Sequence, residues 1–151
     1  MHTNNKESVA RWISILHRQF QIYLNRELKD YDFHSSDFVF LINLSLDQAV
    51  SQEALCSLLY IDKAATARAI QKLERLGYVQ RTRCSQDKRT NLVQLTEQGE
   101  RTRDEIKGKL MYWNDTITSE LSDDERTLML SLIKRMTQSA LIETNRADKE
   151  Q

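Results

Sequence analysis

Hydrophobic positions recur along most of this chain with a period between three and four, and in only one region does the pattern change. From about residue 6 to 28, Val9, Trp12, Ile13, Leu16, Phe20, Tyr23, Leu24 and Leu28 share one stripe, which predicts a long amphipathic helix. After a polar break at 30–34, Ser35 or Ser36 can cap a helix reaching Leu46. Its Phe38, Val39, Leu41, Ile42, Leu44 and Leu46 are apolar almost all round, as expected of a central packing element. Ser51 opens a short helix with Ala54, Leu55, Leu58 and Leu59 inward, and Tyr60-Ile61 makes a turn. Asp62 then caps a helix over 63–76, with Thr66, Ile70, Leu73 and Leu76 on one face and Gly77 as a left-handed stop. Period two takes over in Tyr78-Val79-Gln80-Arg81 and Leu92-Val93-Gln94-Leu95, on either side of a polar run at 82–91, which predicts a hairpin with a long charged tip.

Beyond Thr96 the helical period returns. Ile106, Leu110, Trp113, Ile117 and Leu121 form a narrow stripe, with Gly108 permitting a bend or a close helix contact. Ser122 with Glu125 reads as a capping box for a last helix carrying Leu128, Met129, Leu132, Ile133, Met136 and Ala140, and the charged tail at 143–151 is expected to fray. The 151 residues contain no proline and only three glycines, so few breakers interrupt these helices.

A two-stranded hairpin does not stand alone in water and must pack on the helices before it. The expected fold is therefore mostly α with a small β-hairpin: a winged helix-turn-helix lobe over 33–96, flanked by helices at 6–29 and 97–145. The flanking helices carry more apolar surface than the lobe needs for its own core. That surplus implies a partner, most simply a second copy of the chain.

Charge sharpens this picture. The chain is formally neutral, yet 51–95 holds eight basic and four acidic residues, a local surplus of four balanced by the rest of the sequence. On the 63–76 helix the outward positions Lys63, Ala64, Ala67, Arg68, Gln71 and Lys72 carry small or long basic and amide side chains and no acid, the composition of a surface laid against phosphates. Arg68 and Gln71 are the expected base readers, Ala64 and Ala67 allow close approach or thymine-methyl contact, and Lys63 and Lys72 are expected on the backbone. Arg81, Arg83, Lys88 and Arg89 add charge along the hairpin. Ser51 either caps its helix and nothing more, or also grips a phosphate.

Three segments, SQEAL, IDKAATARAIQKLERLGYVQR and DKRTNLVQLTEQG, together resemble the DNA-binding core of the MarR family of transcription regulators. The match covers about one third of the chain closely, and its most specific parts are the LERLGYVQR junction and Asp87-Lys88-Arg89 before Leu95-Thr96-Glu97-Gln98-Gly99. The resemblance implies terminal helices interleaved in a homodimer and two recognition helices on a pseudo-palindromic duplex about 34 Å apart. It also implies that Arg89 enters the minor groove while Asp87 restrains it. Many members release DNA on binding small aromatic or anionic effectors, and Trp12, Tyr31, Phe38 and Trp113 are either core aromatics or the lining of such a cleft.

Catalysis finds no foothold. There is no glycine-rich phosphate loop, serine elbow, HExxH or CxxC, and His2, His17 and His34 stand apart from any motif acid or nucleophile, so no catalytic residue, cofactor or metal is expected. Asp123-Asp124 suits a helix start. Neither a signal-peptide pattern nor a bilayer-length apolar run is present, which points to a reduced cytoplasmic setting without a membrane partner. Two alternatives remain. One is a winged-helix module that binds protein, since fold alone does not fix function. The other is a redox sensor using Cys56, on a short helix, or Cys84, in the hairpin; oxidant-sensing family members typically carry the reactive cysteine in the first helix, which here has none.

Overall fold

The computed structural model describes residues 8–149, with side chains to 145. Lys6, where the first helix was expected to begin, and His2 lie outside the described residues, as do the last two positions of the tail. The elements run α1 (Val9–Glu27), α2 (Phe38–Ile42), β1 (Val50–Ser51), α3 (Gln52–Leu59), α4 (Lys63–Arg75), β2 (Val79–Arg83), β3 (Asn91–Leu95), α5 (Glu97–Ile117) and α6 (Asp123–Lys149). They form two compact units, one ending at Lys109 and the other starting at Leu110.

In the first unit Leu24, Phe33, Leu41, Leu55, Ile70, Leu73, Val79, Val93, Leu95 and Ile106 are almost fully buried; of the expected inner face of α4, Thr66, Ile70 and Leu73 are buried, while Leu76 is the half-buried C-cap just past its end. The α1 stripe divides. Tyr23, Leu24 and Leu28 enter the core, whereas Val9, Trp12, Ile13 and Leu16 stay about half exposed. On α3 the expected inward set is cut down: Leu55 is buried, but Leu58 is exposed. Ala54 and Leu58, four apart, lie on the face next to the one that carries Leu55 and Leu59, and an eight-residue helix covers only one of the two.

Two expectations about the elements are corrected. The hairpin belongs to a three-stranded antiparallel sheet of order β1-β3-β2, with Val50 opposite Val93, which in turn faces Arg81 across β2. β1 fills the outer edge of β3, which a two-stranded hairpin would leave with unpaired backbone groups. At two residues it is too short for alternation to reveal it.

The helix expected to reach Leu46 is only the five-residue α2, with Asp37 rather than Ser35 or Ser36 at its N-cap. Beyond Asn43 the chain leaves the helix, and the carbonyls of 44–46 serve the sheet and α5. Leu44 accepts from Arg103 Nη1 at 3.2 Å, Ser45 from the Leu95 amide at 2.9 Å and Leu46 from Gln94 Nε2 at 3.2 Å.

The second unit contains the end of α5 and all of α6. Its capping box forms as the sequence implies: Glu125 Oε2 accepts from the Ser122 amide at 2.8 Å and Ser122 Oγ from the Glu125 amide at 3.2 Å. α6 continues to Lys149 instead of fraying at 143, and Leu128, Leu132, Ile133 and Met136 along it are exposed.

Candidate nucleic-acid interface

Three chain reversals place the basic residues, each secured by its own hydrogen bonds. Ser51 caps α3, its Oγ accepting from the Ala54 amide at 3.0 Å. That bond uses a lone pair and leaves the hydroxyl proton free to donate, so capping and phosphate contact are compatible. α3 ends at Tyr60, which adopts φ 55° in the left-handed region, and the Ile61 amide reaches back to the Cys56 carbonyl at 3.2 Å. Asp62 then caps α4 through Oδ1 on the Ala65 amide at 2.8 Å. At the far end Gly77 has φ 83°, its amide bonding to Glu74 O at 3.0 Å and the Tyr78 amide to Leu73 O at 2.9 Å. This paired closure needs a left-handed residue and explains a glycine there.

Along α4, Lys63, Ala64, Arg68 and Gln71 are exposed and Ala67 is half-buried. Lys72 departs from the expected outward face: its Nζ lies 2.7 Å from Asp37 Oδ2, with only a quarter of its side chain exposed. Asp37 also accepts from the His34 amide at 3.0 Å, so one carboxylate ties the start of α2 to α4. Arg81 is likewise engaged, 2.6 Å from Glu74 Oε2. Lys63 meets Glu53 at 3.3 Å, but both side chains are about four-fifths exposed, and such a pair contributes little.

In the wing Arg83, Asp87, Lys88 and Arg89 are all exposed. Asp87 acts on Arg89 differently from the restraint expected. Its Oδ1 accepts the Arg89 backbone amide at 2.9 Å, its Oδ2 the Thr90 hydroxyl at 3.3 Å, and its carbonyl the Thr90 amide at 3.0 Å. The carboxylate thus shapes the turn and fixes the main chain from which Arg89 projects; no ion pair with the guanidinium forms among the described residues. The Cys84 amide closes the loop on Thr90 O at 2.9 Å.

The structure gathers Lys63 and Ala67 of α4 with Arg89 and Asn91 of the wing and Gln52 and Cys56 of α3 around one open cleft of 290 Å³. Cys56 is half-buried on this cleft and Cys84 is half-buried in the wing; both are free thiols. The four aromatic candidates divide between the two units. Trp12 is exposed beneath Arg11, Phe38 is buried against Phe20 at 6.4 Å, and Trp113 stands in the other unit. Tyr31 donates to Glu105 Oε2 at 2.6 Å, and burial, reinforced by that carboxylate, pushes its phenol up to about 12. Missed by the sequence reading is Asp37, whose role depends on a partner 35 positions away.

Among the described residues no helix is long and apolar enough to cross a membrane, and no group of three His, Cys, Asp or Glu side chains is placed to hold a metal ion.

A helix-turn-helix whose second helix lies beside a basic β-hairpin defines a winged-helix protein. The MarR family profile matches residues 31–90, from the approach to α2 through the wing tip. A MarR transcriptional regulator of known structure from Methanosarcina mazei Go1 is 35% identical, with 88% of this chain and 96% of that one covered and a TM-score of 0.77. The HTH-type transcriptional regulator BilQ of Clostridioides difficile strain CD3 is 29% identical over 119 residues, 79% of this chain and 80% of BilQ. The fold is also that of a MarR family regulator from Listeria monocytogenes solved with a 26-mer DNA, at 23% identity, TM-score 0.82 and coverage of 88% and 89%. The chain belongs to the MarR family of winged helix-turn-helix transcription regulators, which are DNA-binding proteins and not enzymes.

Proposed function

We propose that this chain acts in the cytoplasm as a two-fold dimer that reads a pseudo-palindromic operator, each lobe over 33–96 contacting one half-site. The reading rests on one observation above all: Lys63 and Ala67 of α4 and Arg89 of the wing border the same open cleft, where Glu53 is the one acid and is paired with Lys63, so a single duplex reaches both elements. Arg68 and Gln71 read base edges in the major groove, where Ala64 and Ala67 leave room for a close approach. Lys63, Arg83, Lys88 and the Ser51 hydroxyl meet phosphates, and Arg89 enters the adjacent minor groove. Lys72 and Arg81 act one step back, bonding Asp37 and Glu74 and so holding α4 against α2 and β2.

The helices at 6–29 and 97–145 supply the dimer contacts. Val9, Trp12, Ile13 and Leu16 on α1, and Leu128, Leu132, Ile133 and Met136 on α6, offer the exposed apolar faces that such an interface covers. A small aromatic or anionic effector fits the family's mode of release, with Trp12, Tyr31, Phe38 and Trp113 as its candidate lining.

Sequences selected from a random duplex pool should converge on a motif with two-fold symmetry and half-sites about one helical turn apart. Enrichment without a shared motif would refute sequence-specific reading. Sedimentation showing a stable folded monomer at micromolar concentration would refute the dimer.

A further inference from the structure

Tyr60 occupies a backbone position that its own chemistry disfavours. It ends α3 at φ 55° and ψ 39°, and it is the one non-glycine residue with positive φ among the described residues. A side chain bearing Cβ is strained there, and glycine is the residue that relieves the strain at a helix end. Packing does not explain the choice either. The ring is 70% exposed, the most of any large hydrophobic residue described, and its hydroxyl meets no hydrogen-bond partner among the described residues. A residue both strained and exposed returns nothing to the fold, so what it offers lies outside the chain.

Its location narrows the choice of partner. Tyr60 is two residues before the Asp62 cap and three before Lys63, so its Cα lies within about 11 Å of the Cα of Lys63 along the chain. The N-terminal residues of a recognition helix contact base edges in the major groove while the helix before it crosses the backbone, so the turn that joins the two lies between base edges and phosphates. Ser51 caps the opposite end of α3, leaving Tyr60 as the phenol donor at the turn itself. A phenol is a neutral donor of the kind that bonds phosphate oxygens and fixes register on a duplex.

We infer that Tyr60 is a DNA-contacting residue, its hydroxyl donating to a backbone phosphate at the edge of the major groove and so setting the angle at which α4 enters. The inference rests on the DNA reading above and adds to it a contact that carries no charge. Two properties separate it from a structural role. Tyr60→Gly removes strain, so it raises the urea midpoint of unfolding even while it weakens binding. Because no cation is lost, the slope of log affinity against log salt stays that of the parent, whereas a lysine or arginine contact removed from both protomers lowers it by about two.

The experiment measures duplex affinity by fluorescence anisotropy across a salt series, and urea unfolding, for the parent, Tyr60→Gly and Tyr60→Phe. The expected result is binding about a hundredfold weaker for both variants at unchanged salt slope, the size of one hydrogen bond to a charged group lost in each half-site, with Tyr60→Gly more resistant to urea than the parent. Tyr60→Gly binding as tightly as the parent overturns the inference, and so does full affinity in Tyr60→Phe, which would show that the hydroxyl makes no contact. If the parent itself bound no duplex in a salt-dependent manner, the DNA reading would fall as well; salt-dependent binding that the variants leave untouched overturns only the role of Tyr60.

Discussion

Gly99 is the position where the structure sets the sharpest limit on sequence, and replacing it with alanine tests how the wing is joined to the long helix after it. A Cβ built on Gly99 would lie 1.9 Å from the Tyr78 carbonyl oxygen and 2.9 Å from its carbon, so backbone must move by at least 1.1 Å to restore a tolerable 3.0 Å contact. That carbonyl accepts the Thr96 amide at 3.0 Å, while Thr96 Oγ1 donates to Gly77 O at 2.6 Å and accepts the Gly99 amide at 3.1 Å. The methyl group therefore pushes apart the knot at which β2, β3 and α5 meet. Losing a buried hydrogen bond costs about 1–3 kcal/mol, and forcing atoms into packed space costs a similar amount. Because the two overlap, Gly99→Ala should destabilise by about 2–4 kcal/mol. Gly108→Ala is the internal control: it lies on the same α5 with nothing within 4 Å of its Cβ, and alanine there should stabilise by about 0.5–1 kcal/mol. Urea unfolding at one fixed protomer concentration measures both, since dimer stability depends on concentration. A Gly99→Ala protein within about 0.5 kcal/mol of the parent would show that the joint yields without cost and that the reasoning is wrong.

Three further outcomes follow from the site. Asp87→Asn keeps an oxygen to accept the Arg89 amide and should bind duplex as well as the parent or better, whereas Asp87→Ala should bind roughly fivefold more weakly through loss of the turn; equal gains in both variants would reduce Asp87 to simple charge repulsion. Arg68→Ala should cost about 1–3 kcal/mol on the preferred operator and much less on random duplex, measured by competition; equal losses would make Arg68 a backbone contact. The phenol of Tyr31 is held near 12, above its ordinary value of about 10, so the folded state keeps a proton that the unfolded chain gives up. Its stabilisation is present below pH 10 and is lost as pH rises from 10 to 12. Tyr31→Phe should therefore flatten the fall in stability over that window, with Tyr78, also pushed up by burial, accounting for what remains.

What the sequence revealed and what it withheld differ in kind. The Gly77 stop and the Ser122 capping box depend on partners within a few residues, the spacing of Thr66, Ile70 and Leu73 on the helix period alone, and each is where the local pattern puts it. β1 and the bonds that hold 44–46 depend on β3 and α5, some 40 to 60 positions away, and no local period carries that information. The same division holds within the site. The exposure of Lys63, Arg68 and Gln71 follows from helical spacing, but the engagement of Lys72 and Arg81 depends on acids contributed by the fold.

That engagement bears on how a neutral chain binds a polyanion. Of the eight basic residues between 51 and 95, Lys72 and Arg81 are tied to partly buried acids, and Lys63 shares an exposed pair that phosphate can displace. Arg68, Arg75, Arg83, Lys88 and Arg89 have no ion-pair partner among the described residues. If Arg68 and Arg89 are spent in the grooves, the phosphate contacts proposed above, Lys63, Arg83 and Lys88, are joined by Arg75, the exposed last residue of α4, as a fourth available cation on each lobe. Each phosphate neutralised contributes about 0.9 to the slope of log affinity against log salt, so a dimer with eight such contacts should show a slope near −7. Counting Arg68 and Arg89 as phosphate contacts too extends it to about −11. A slope steeper than that would mean that Lys72 and Arg81 leave Asp37 and Glu74 for the DNA, and that the acids hold them only in the free protein. A slope in the range would mean that the two pairs persist in the complex, where Asp37 and Glu74 keep α4 in place without repelling the duplex, their charges already met by Lys72 and Arg81.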